Sequence, residues 1–246
     1  MDVLFVDDLL TMDQELIEQI VERVLDKLKA AERETKGATR AEELVTEDIR
    51  RGRVPVGVSA RHVHLRADHF AALFGKEATL TVLRPLKQTG EFASEQQVTL
   101  VAPSGKCLGP VRILGPLRKA SQVELSLTDC FALGLKRVPP VRPSGDHRDT
   151  PGITLVGPVG AVTLDSGVIR ANRHIHLHTD QAVAMGLKDK DIVAVRLSGE
   201  RPGILLDVQV RVAESFRAEL HLDTDDANAF GVKTGDTAEV ILHKMP

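Results

Sequence analysis

The chain has 246 residues, enough for one large domain or two of ordinary size. Hydrophobic residues make up 42% of it, which allows substantial cores, and the formal net charge of −3 gives no general attraction to nucleic acid. Aromatic residues contribute only 3%, with neither Trp nor Tyr, so base-stacking surfaces are not expected. No apolar run approaches the roughly 20 residues of a membrane helix. We therefore expect neither nucleic acid nor a membrane among its partners.

Residues 1–50 are predicted to form an amphipathic helix and a polar linker. Thr11 lies three residues before Gln14, which is a capping-box pattern. Apolar residues then recur at helical spacing through residue 28, with charged residues on the other face. A second short helix is expected within 41–50. Amphipathicity alone leaves open whether the first helix binds another molecule or packs on its own domain.

From Val54 onward the sequence is typical of a β-rich protein with short helices. Many short strands between Gly and Pro turns indicate barrels or sandwiches. Short helical segments that end in glycine are expected at 66–75, 128–134, 179–186 and 224–231, and their similarity predicts two related halves. The predicted strands are 78–83, 97–102, 111–114, 122–127, 153–156, 161–164, 192–197, 205–212, 219–222 and 238–242.

A proline-rich stretch over 138–152 lies between the halves. Prolines at restricted φ make a stiff connector with little regular structure. This stretch is either a linker or a loop laid across a site. We interpret His147 within it as an exposed loop histidine.

The motif Arg-His-x-His-Leu occurs twice, at 61–65 and at 173–177. In an extended strand the side chains alternate faces, so the two histidines of each copy point the same way. Val63 and Ile175 then turn to the opposite face. The repeat predicts two related halves that meet at a metal centre. The histidines concerned are His62 and His64 in the first copy, and His174 and His176 in the second.

Two further residues complete two sets of three ligands. His221 lies on a predicted strand, and Glu124 lies on an alternating strand where a charge on a buried face is otherwise hard to explain. Neutral imidazole suits Zn, Cu, Fe and Ni, and zinc often takes three histidines with an open fourth position. The competing interpretation is a surface strand with incidental histidines. The recurrence of Arg and Leu beside each pair argues against it.

Arginines are the second group of candidate functional residues. Arg61 and Arg173 directly precede the histidine pairs, and Arg118 follows a Gly-Pro-Leu turn. A guanidinium is suited to bidentate binding of phosphate. Arg118 beside two metal ions would make a cationic pocket for a phosphate-like anion, whereas the alternative is a solvated turn residue.

Several catalytic motifs are absent from the sequence. It contains no phosphate-binding loop of the Gly-x-x-x-x-Gly-Lys-Ser/Thr type, no His-Glu-x-x-His and no Gly-x-Ser-x-Gly. Cys107 and Cys130 predict no disulfide framework, and neither has the surroundings of an activated nucleophile. We therefore expect neither cysteine to act as a catalytic nucleophile.

Taken together, these motifs resemble the PduL-type phosphotransacylases, the phosphate propanoyltransferases of bacterial microcompartments. The similarity covers residues 54–242. The segments that carry it are Val58-Ser59-Ala60-Arg61-His62-Val63-His64-Leu65, Leu114-Gly115-Pro116-Leu117-Arg118, Gln122-Val123-Glu124-Leu125-Ser126-Leu127-Thr128-Asp129, Pro140-Val141-Arg142-Pro143-Ser144-Gly145-Asp146 and Asn172-Arg173-His174-Ile175-His176-Leu177.

The resemblance implies a mainly β fold with short helices. It implies two similar β-barrel domains, with a metal site at their interface, and an N-terminal amphipathic helix. The first barrel would comprise 61–170. The second would be discontinuous, comprising 51–60 and 171–246, and residues 1–50 would be the targeting helix and linker.

The resemblance also implies a two-zinc site and a reaction. Acyl-CoA, with propanoyl-CoA as the expected donor, and phosphate would give acyl phosphate and CoA. Arg118 would be catalytic and would bind phosphate together with Ser59 and Ser144. The metal ligands would be His62, His64, Glu124, His174, His176 and His221.

Partners and location follow from the same resemblance. Residues 11–30 would bind shell or core proteins of a bacterial microcompartment, which places the protein in the lumen of that compartment within the cytoplasm. The sequence does not determine the oligomeric state, although an exposed amphipathic helix could drive assembly of a homo-oligomer. The alternatives are a zinc-dependent thioester or ester hydrolase on the same metal site, a cupin-like metal-binding barrel, and a structural protein associated with the shell.

Overall fold

The structure is a computed structural model that describes residues 19, 21–23, 25–27, 29 and 44–241. The described residues between 19 and 29 are helical, and the remainder of the helix expected over 11–30 lies outside the described residues. The chain divides into two compact units, residues 1–46 and 47–246. Among the described residues, no helix is long and apolar enough to cross a membrane.

Short helices punctuate the second unit. Four of them occupy the segments expected from the sequence, and each of those four is followed at its end by a glycine with positive φ, between 63° and 100°. A side chain would strain the backbone there, which explains the repeated glycine. Within residues 47–241 the helices are α1 (Glu47–Arg50), α2 (Ala67–Phe74), α3 (Leu127–Ala132), α4 (Thr179–Ala184) and α5 (Thr224–Phe230).

Strands make up most of the regular structure in residues 47–241. The strands predicted at 153–156, 161–164 and 192–197 have the predicted bounds, and most others are extended or shortened by a few residues. The strands are β1 (Arg53–Ser59), β2 (His62–His64), β3 (Val82–Pro85), β4 (Phe92–Val101), β5 (Cys107–Gly115), β6 (Gln122–Glu124), β7 (Val141–Arg142), β8 (Ile153–Val156), β9 (Ala161–Leu164), β10 (Val168–Ala171), β11 (His174–Leu177), β12 (Ile192–Leu197), β13 (Gly203–Val212), β14 (Glu219–Asp223) and β15 (Thr237–Ile241).

The strand expected over 122–127 stops early because a helix begins there. Ser126 caps α3: its hydroxyl accepts a hydrogen bond from the backbone N–H of Asp129 at 3.1 Å. The carboxylate of Asp129 accepts one from the backbone N–H of Ser126 at 3.2 Å. This reciprocal capping box turns the chain out of the sheet directly after Glu124.

Six strands close into a barrel in the order β1-β14-β11-β13-β12-β15, with β15 pairing back to β1. The first strand of the unit thus joins the last ones: β1 runs parallel to β14 and antiparallel to β15. This pairing supports the expectation of a discontinuous domain that joins residues 51–60 to residues 171–246. The domain boundary itself remains a prediction.

The remaining strands form an open sheet in the order β7-β10-β6-β2-β5-β4-β8-β9, with β3 attached to β4. The expectation of a second closed barrel over 61–170 is therefore wrong. Its end strands do not pair with each other, and β7 has only two residues. The prolines at 139, 140 and 143 surround β7 and have no N–H to extend a ladder of hydrogen bonds.

The two histidine strands occupy equivalent places. In the open sheet, β2 is antiparallel to β6 and parallel to β5. In the barrel, β11 is antiparallel to β14 and parallel to β13. Val63 and Ile175 are fully buried on the faces opposite the histidines, as the alternation predicted. The duplication seen in the sequence is therefore also a duplication of strand order.

The core of the open sheet gives a test of its packing. Leu100 on β4 is fully buried, so Leu100→Ala is expected to lower the free energy of unfolding by about 2–5 kcal/mol. Leu206→Ala is the control, because this side chain is 49% exposed on β13 and its loss should cost less than about 0.5 kcal/mol. Denaturant unfolding measures both. Equal losses for the two variants would contradict this core.

Candidate active site

A cavity of about 370 Å³ lies between the two histidine strands. Every residue that the sequence singled out for metal or phosphate binding lines it. These are Ser59, His62, His64, Arg118, Glu124, Ser144, His174, His176 and His221. Their roles remain predictions, but the structure brings all of them to one place.

Strand pairing builds the first candidate triad. His62 lies directly opposite Glu124 across the β2–β6 pair, and His64 follows on the same face. The Nε2 atoms of His62 and His64 lie 3.5 Å and 4.0 Å from the carboxylate oxygens of Glu124. The ligand atoms of the three residues lie within 4.8 Å of one another, close enough to hold one ion.

The second triad repeats this arrangement with a third histidine. His174 lies directly opposite His221 across the β11–β14 pair. Their rings stack with centroids 4.8 Å apart, and the ring of His176 lies 4.6 Å from that of His221. The potential ligand atoms again lie within 4.8 Å of one another. Within the described residues, the structure thus offers two candidate metal sites facing one cavity.

Hydrogen bonds to carbonyl groups fix the ring orientation of three of these histidines. The Nδ1 atoms of His62 and His174 lie 2.9 Å from the carbonyl oxygens of residues 60 and 172, and that of His64 lies 3.3 Å from the oxygen of Leu114. A carbonyl oxygen only accepts, so each Nδ1 carries the proton. Each Nε2 then keeps its lone pair for a ligand.

The donor set of the second triad also fits a metal. Among the described residues, neither ring nitrogen of buried His176 has a hydrogen-bond partner. The Nε2 of His221 is likewise buried, and the carboxylate of Glu219 lies 3.1 Å from it. Buried polar atoms without partners are costly, and a bound cation would satisfy them.

Two arginine–aspartate ion pairs connect the histidine strands to neighbouring helices. Arg61, which precedes His62, donates to Asp129 at 2.8 Å. Arg173, which precedes His174, makes a bidentate pair with Asp226 at 2.7 and 2.8 Å. Asp129 and Asp226 each occupy the third position of a helix, α3 or α5, so each pair ties a histidine strand to a helix N-terminus.

The proline-rich stretch is a loop laid along the site. Gln122, which is buried, accepts hydrogen bonds through Oε1 from the N–H of Gly145 at 2.7 Å and from His147 at 2.9 Å. Its amide nitrogen therefore donates, to Glu124 at 2.6 Å and to the hydroxyl of Ser144 at 2.8 Å. His147 is thus a bonded, half-buried residue and not the exposed histidine expected from the sequence.

Arg118 completes this network. Its Nη1 donates to the Ser144 hydroxyl at 3.0 Å, and its Nη2 lies 3.5 Å from the carboxylate of Glu91. The Ser144 oxygen thus accepts from both Arg118 and Gln122. Its own hydrogen remains available for an acceptor in the cavity.

Comparison with known proteins gives the family of this chain. The family model for phosphate propanoyltransferase matches residues 55–233. The chain belongs to the phosphate propanoyltransferase family. The family member from Rhodopseudomonas palustris is 44% identical over 229 residues, which cover 93% of this chain and 98% of that protein. The one from Thermotoga maritima is 49% identical over 187 residues, which cover 76% and 88%.

A third phosphate propanoyltransferase, from Alkaliphilus metalliredigens, is 40% identical over 230 residues, covering 94% of this chain and all of that protein. The resemblance drawn from the sequence motifs is therefore confirmed, and the protein is an acyltransferase. The hydrolase alternative has no support from these relatives.

The cavity also contains residues that the sequence analysis missed. They are Glu91, beside Arg118; Phe216, whose ring stacks on His176 with centroids 4.0 Å apart; and Arg211 on β13. Gln122, behind the cavity wall, was missed as well. A charge on an alternating strand was the signal that found Glu124, and it would also have marked Arg211. The same signal marks Arg112 and Arg196, so it does not select the right arginine.

Burial dominates the electrostatics of the second triad. It lowers the pKa of His174 to about 3 and that of His176 further still, and His221 adds to both shifts. His174 and His176 are therefore neutral at physiological pH. Neutral imidazole is the form that binds a metal.

The first triad combines opposing influences. Burial and the neighbouring His62 lower the pKa of His64 well below its usual value. For His62 itself, the carboxylate of Glu124 outweighs burial and raises the pKa. Burial opposes ionisation of Glu124, but the two histidines hold the pKa of that carboxyl well below its usual range. Glu124 is therefore an anionic group at the position that His221 occupies in the second triad.

Without metal, the protein is expected to lose stability as the pH falls from about 7.5 to about 5. The unfolded chain takes up protons on its histidines near pH 6.5, whereas folded His174 stays neutral until about pH 3, so protons favour the unfolded chain across this window. His64 and His176 add to this effect, and His62 opposes it. The thermal unfolding midpoint of chelator-treated protein measures it. His174→Gln should flatten the dependence, and an unchanged slope in that variant would contradict this assignment.

Proposed function

We propose that this protein transfers an acyl group between CoA and phosphate, with propanoyl-CoA as the acyl donor. Membership of the phosphate propanoyltransferase family supports the reaction class. The observation that carries the proposal is the convergence of two buried ligand triads and Arg118 on one cavity. Such a cavity can hold an anionic nucleophile beside a polarised carbonyl group.

Two zinc ions are the proposed cofactors. His62, His64 and Glu124 would hold one, and His174, His176 and His221 would hold the other. When bound, such ions polarise a carbonyl oxygen and offset negative charge on a phosphate. The neutral imidazoles and the unpartnered nitrogens of His176 support this donor set.

The proposed roles of the other residues follow from their contacts. Arg118 binds and orients the phosphate, and its charge reduces the repulsion between that anion and Glu124. Ser144, whose oxygen already accepts two hydrogen bonds, donates its hydrogen to a phosphate oxygen. Ser59, at the end of β1, lines the opposite wall and is proposed as a further phosphate contact. Holding both reactants in one geometry supplies much of the rate.

The proposed step is direct attack of phosphate on the thioester. A phosphate oxygen forms a bond to the carbonyl carbon, the bond from carbon to the CoA sulfur breaks, and the proton of hydrogen phosphate leaves with the thiol. The cysteines do not favour an acyl-enzyme route. Burial raises the pKa of the Cys130 thiol to about 11, and Cys107 is exposed outside the cavity.

We also propose that the closed barrel and the open sheet are two domains with the metal centre at their interface. The first would comprise 51–60 with 171–246, and the second 61–170. The separate strand orders of the two sheets support this division. So does the supply of one ligand triad by each sheet.

The N-terminal segment is proposed to direct the enzyme into the lumen of a bacterial microcompartment. Residues 11–30 would bind shell or core proteins through the apolar face of a helix. Val21 and Leu25 are about half exposed, which supports an apolar face free to bind a partner. A homo-oligomer also stays a prediction.

The activity is tested by thiol release from propanoyl-CoA with and without phosphate. Phosphate is expected to be required, and Arg118→Ala should lower kcat/KM by about 100-fold or more, because a preorganised cation is lost from the site. Metal analysis should find two zinc ions per chain, and about one after His174→Ala. Arg137→Ala, an exposed arginine outside the cavity, is the control. Thiol release at the same rate without phosphate would show a hydrolase instead.

The location is tested in cells that assemble microcompartments. Val21→Glu combined with Leu25→Glu should leave a fluorescent fusion of this enzyme in the cytoplasm, because the charges disrupt the apolar face. Activity in vitro should be unchanged, since 47–246 form a separate compact unit. Glu22→Ala, on an exposed residue between them, should keep the wild-type location. Unchanged location of the double variant would refute targeting by this face.

A further inference from the structure

Arg211 is a half-buried arginine that lines the active-site cavity. Within the part of the chain that the structure describes, its guanidinium makes no hydrogen bond and no ion pair. This separates it from Arg118, which bonds Ser144 and lies 3.5 Å from Glu91. Arg61 and Arg173 have carboxylate partners as well.

The position of Arg211 is fixed by strand pairing. On β13, Val208 and Val210 are buried in the barrel, so Arg211 turns to the other face. Its Cα lies opposite that of His176 on the neighbouring strand β11. Arg118 lies beside the other histidine strand, because its backbone N–H donates to the carbonyl oxygen of Leu65, the residue directly after His64. Arg118 therefore lies beside the first histidine strand, and Arg211 lies beside the second.

A cation in this position is costly unless something compensates it. Burial lowers the pKa of Arg211, and the charge of Arg118 acts in the same direction. The carboxylates of Glu124, Asp189 and Glu91 oppose the shift, and the guanidinium stays protonated. Metal ions in the two triads would add further repulsion. The carboxylates of Glu91 and Glu124 already face Arg118 and the first triad. An incoming anion is therefore the natural partner of Arg211.

We propose that Arg211 binds the phosphate that exchanges with the acyl group, from the side of the second triad and opposite Arg118. Two guanidinium groups would then hold one tetrahedral dianion from two directions, each through charged hydrogen bonds. This inference rests on the proposed phosphotransacylase activity. It adds an anion-binding residue that the sequence motifs did not mark.

A phosphate group could come from two sources, the free phosphate or the phosphates of CoA. The position of Arg211 favours the free ion. Arg211 lies next to His176 of the second triad, in the cavity where the reacting groups would meet. The two sources differ in kinetics: loss of Arg211 raises the KM for phosphate in the first case and the KM for propanoyl-CoA in the second.

The experiment compares Arg211→Gln and Arg211→Lys with the wild-type holoenzyme, after metal analysis of each. Arg211→Gln should raise the KM for phosphate by about 10- to 100-fold, with the KM for propanoyl-CoA changed less than about twofold. The KM for phosphate of Arg211→Lys, which keeps the charge, should lie between those of the wild type and Arg211→Gln. The control is Arg196→Gln, which removes a barrel arginine that pairs with Glu239 at 2.6 Å outside the cavity.

Thermal unfolding separates binding from a structural role. In phosphate-free buffer Arg211→Gln should unfold at or above the wild-type temperature, because it removes a half-buried charge that makes no hydrogen bond or ion pair among the described residues. Added inorganic phosphate should raise the midpoint of the wild type more than that of the variant.

Three results would overturn the inference: an unchanged KM for phosphate, a rise confined to the KM for propanoyl-CoA, or a lower midpoint with unchanged kinetics. A wild-type enzyme that needs no phosphate would instead refute the proposed function itself.

Discussion

The active site depends on the alternation of side chains along two short strands. In β2 and β11 one face packs into the hydrophobic core through Val63 or Ile175, and the other presents two histidines. Because a slip of one residue would exchange the faces, the core that fixes the register also fixes the ligands. The third ligand follows from the same constraint, since Glu124 and His221 stand directly opposite the first histidine of each pair.

Much of this could be predicted, because the signals are local. The His-x-His repeat, the glycines after the helices and the alternating charge at Glu124 each span only a few residues. Arg211 and Gln122 could not be predicted from the sequence, because their roles depend on which distant strand or loop lies beside them. The open sheet was mistaken for a barrel for the same reason, since closure depends on whether the two end strands meet, and β7 has only two residues and is flanked by prolines. His147 was misjudged because its ring bonds Gln122, which lies 25 residues away in the sequence.

The two halves are related but not equivalent. The first triad contains a carboxylate that is held anionic, whereas the second consists of three imidazoles, of which burial keeps those of His174 and His176 neutral. The residues that contact the two triads also differ. Gln122, which is bonded to the proline-rich loop, donates a hydrogen bond to Glu124 of the first triad, whereas the ring of Phe216 stacks on His176 of the second. A cation would therefore meet a more negative environment in the first triad, so duplication has given two sites of different charge.

The pairing of β1 with β14 and β15 has a consequence for how the chain folds. During synthesis β1 emerges before all the strands of the open sheet, yet its partners are among the last residues made. The barrel has the longest sequence separations of the molecule, and such contacts form slowly. The open sheet can therefore assemble while β1 waits unpaired with its polar edges exposed, which makes this strand the point where a chaperone or a neighbouring chain would engage a nascent molecule.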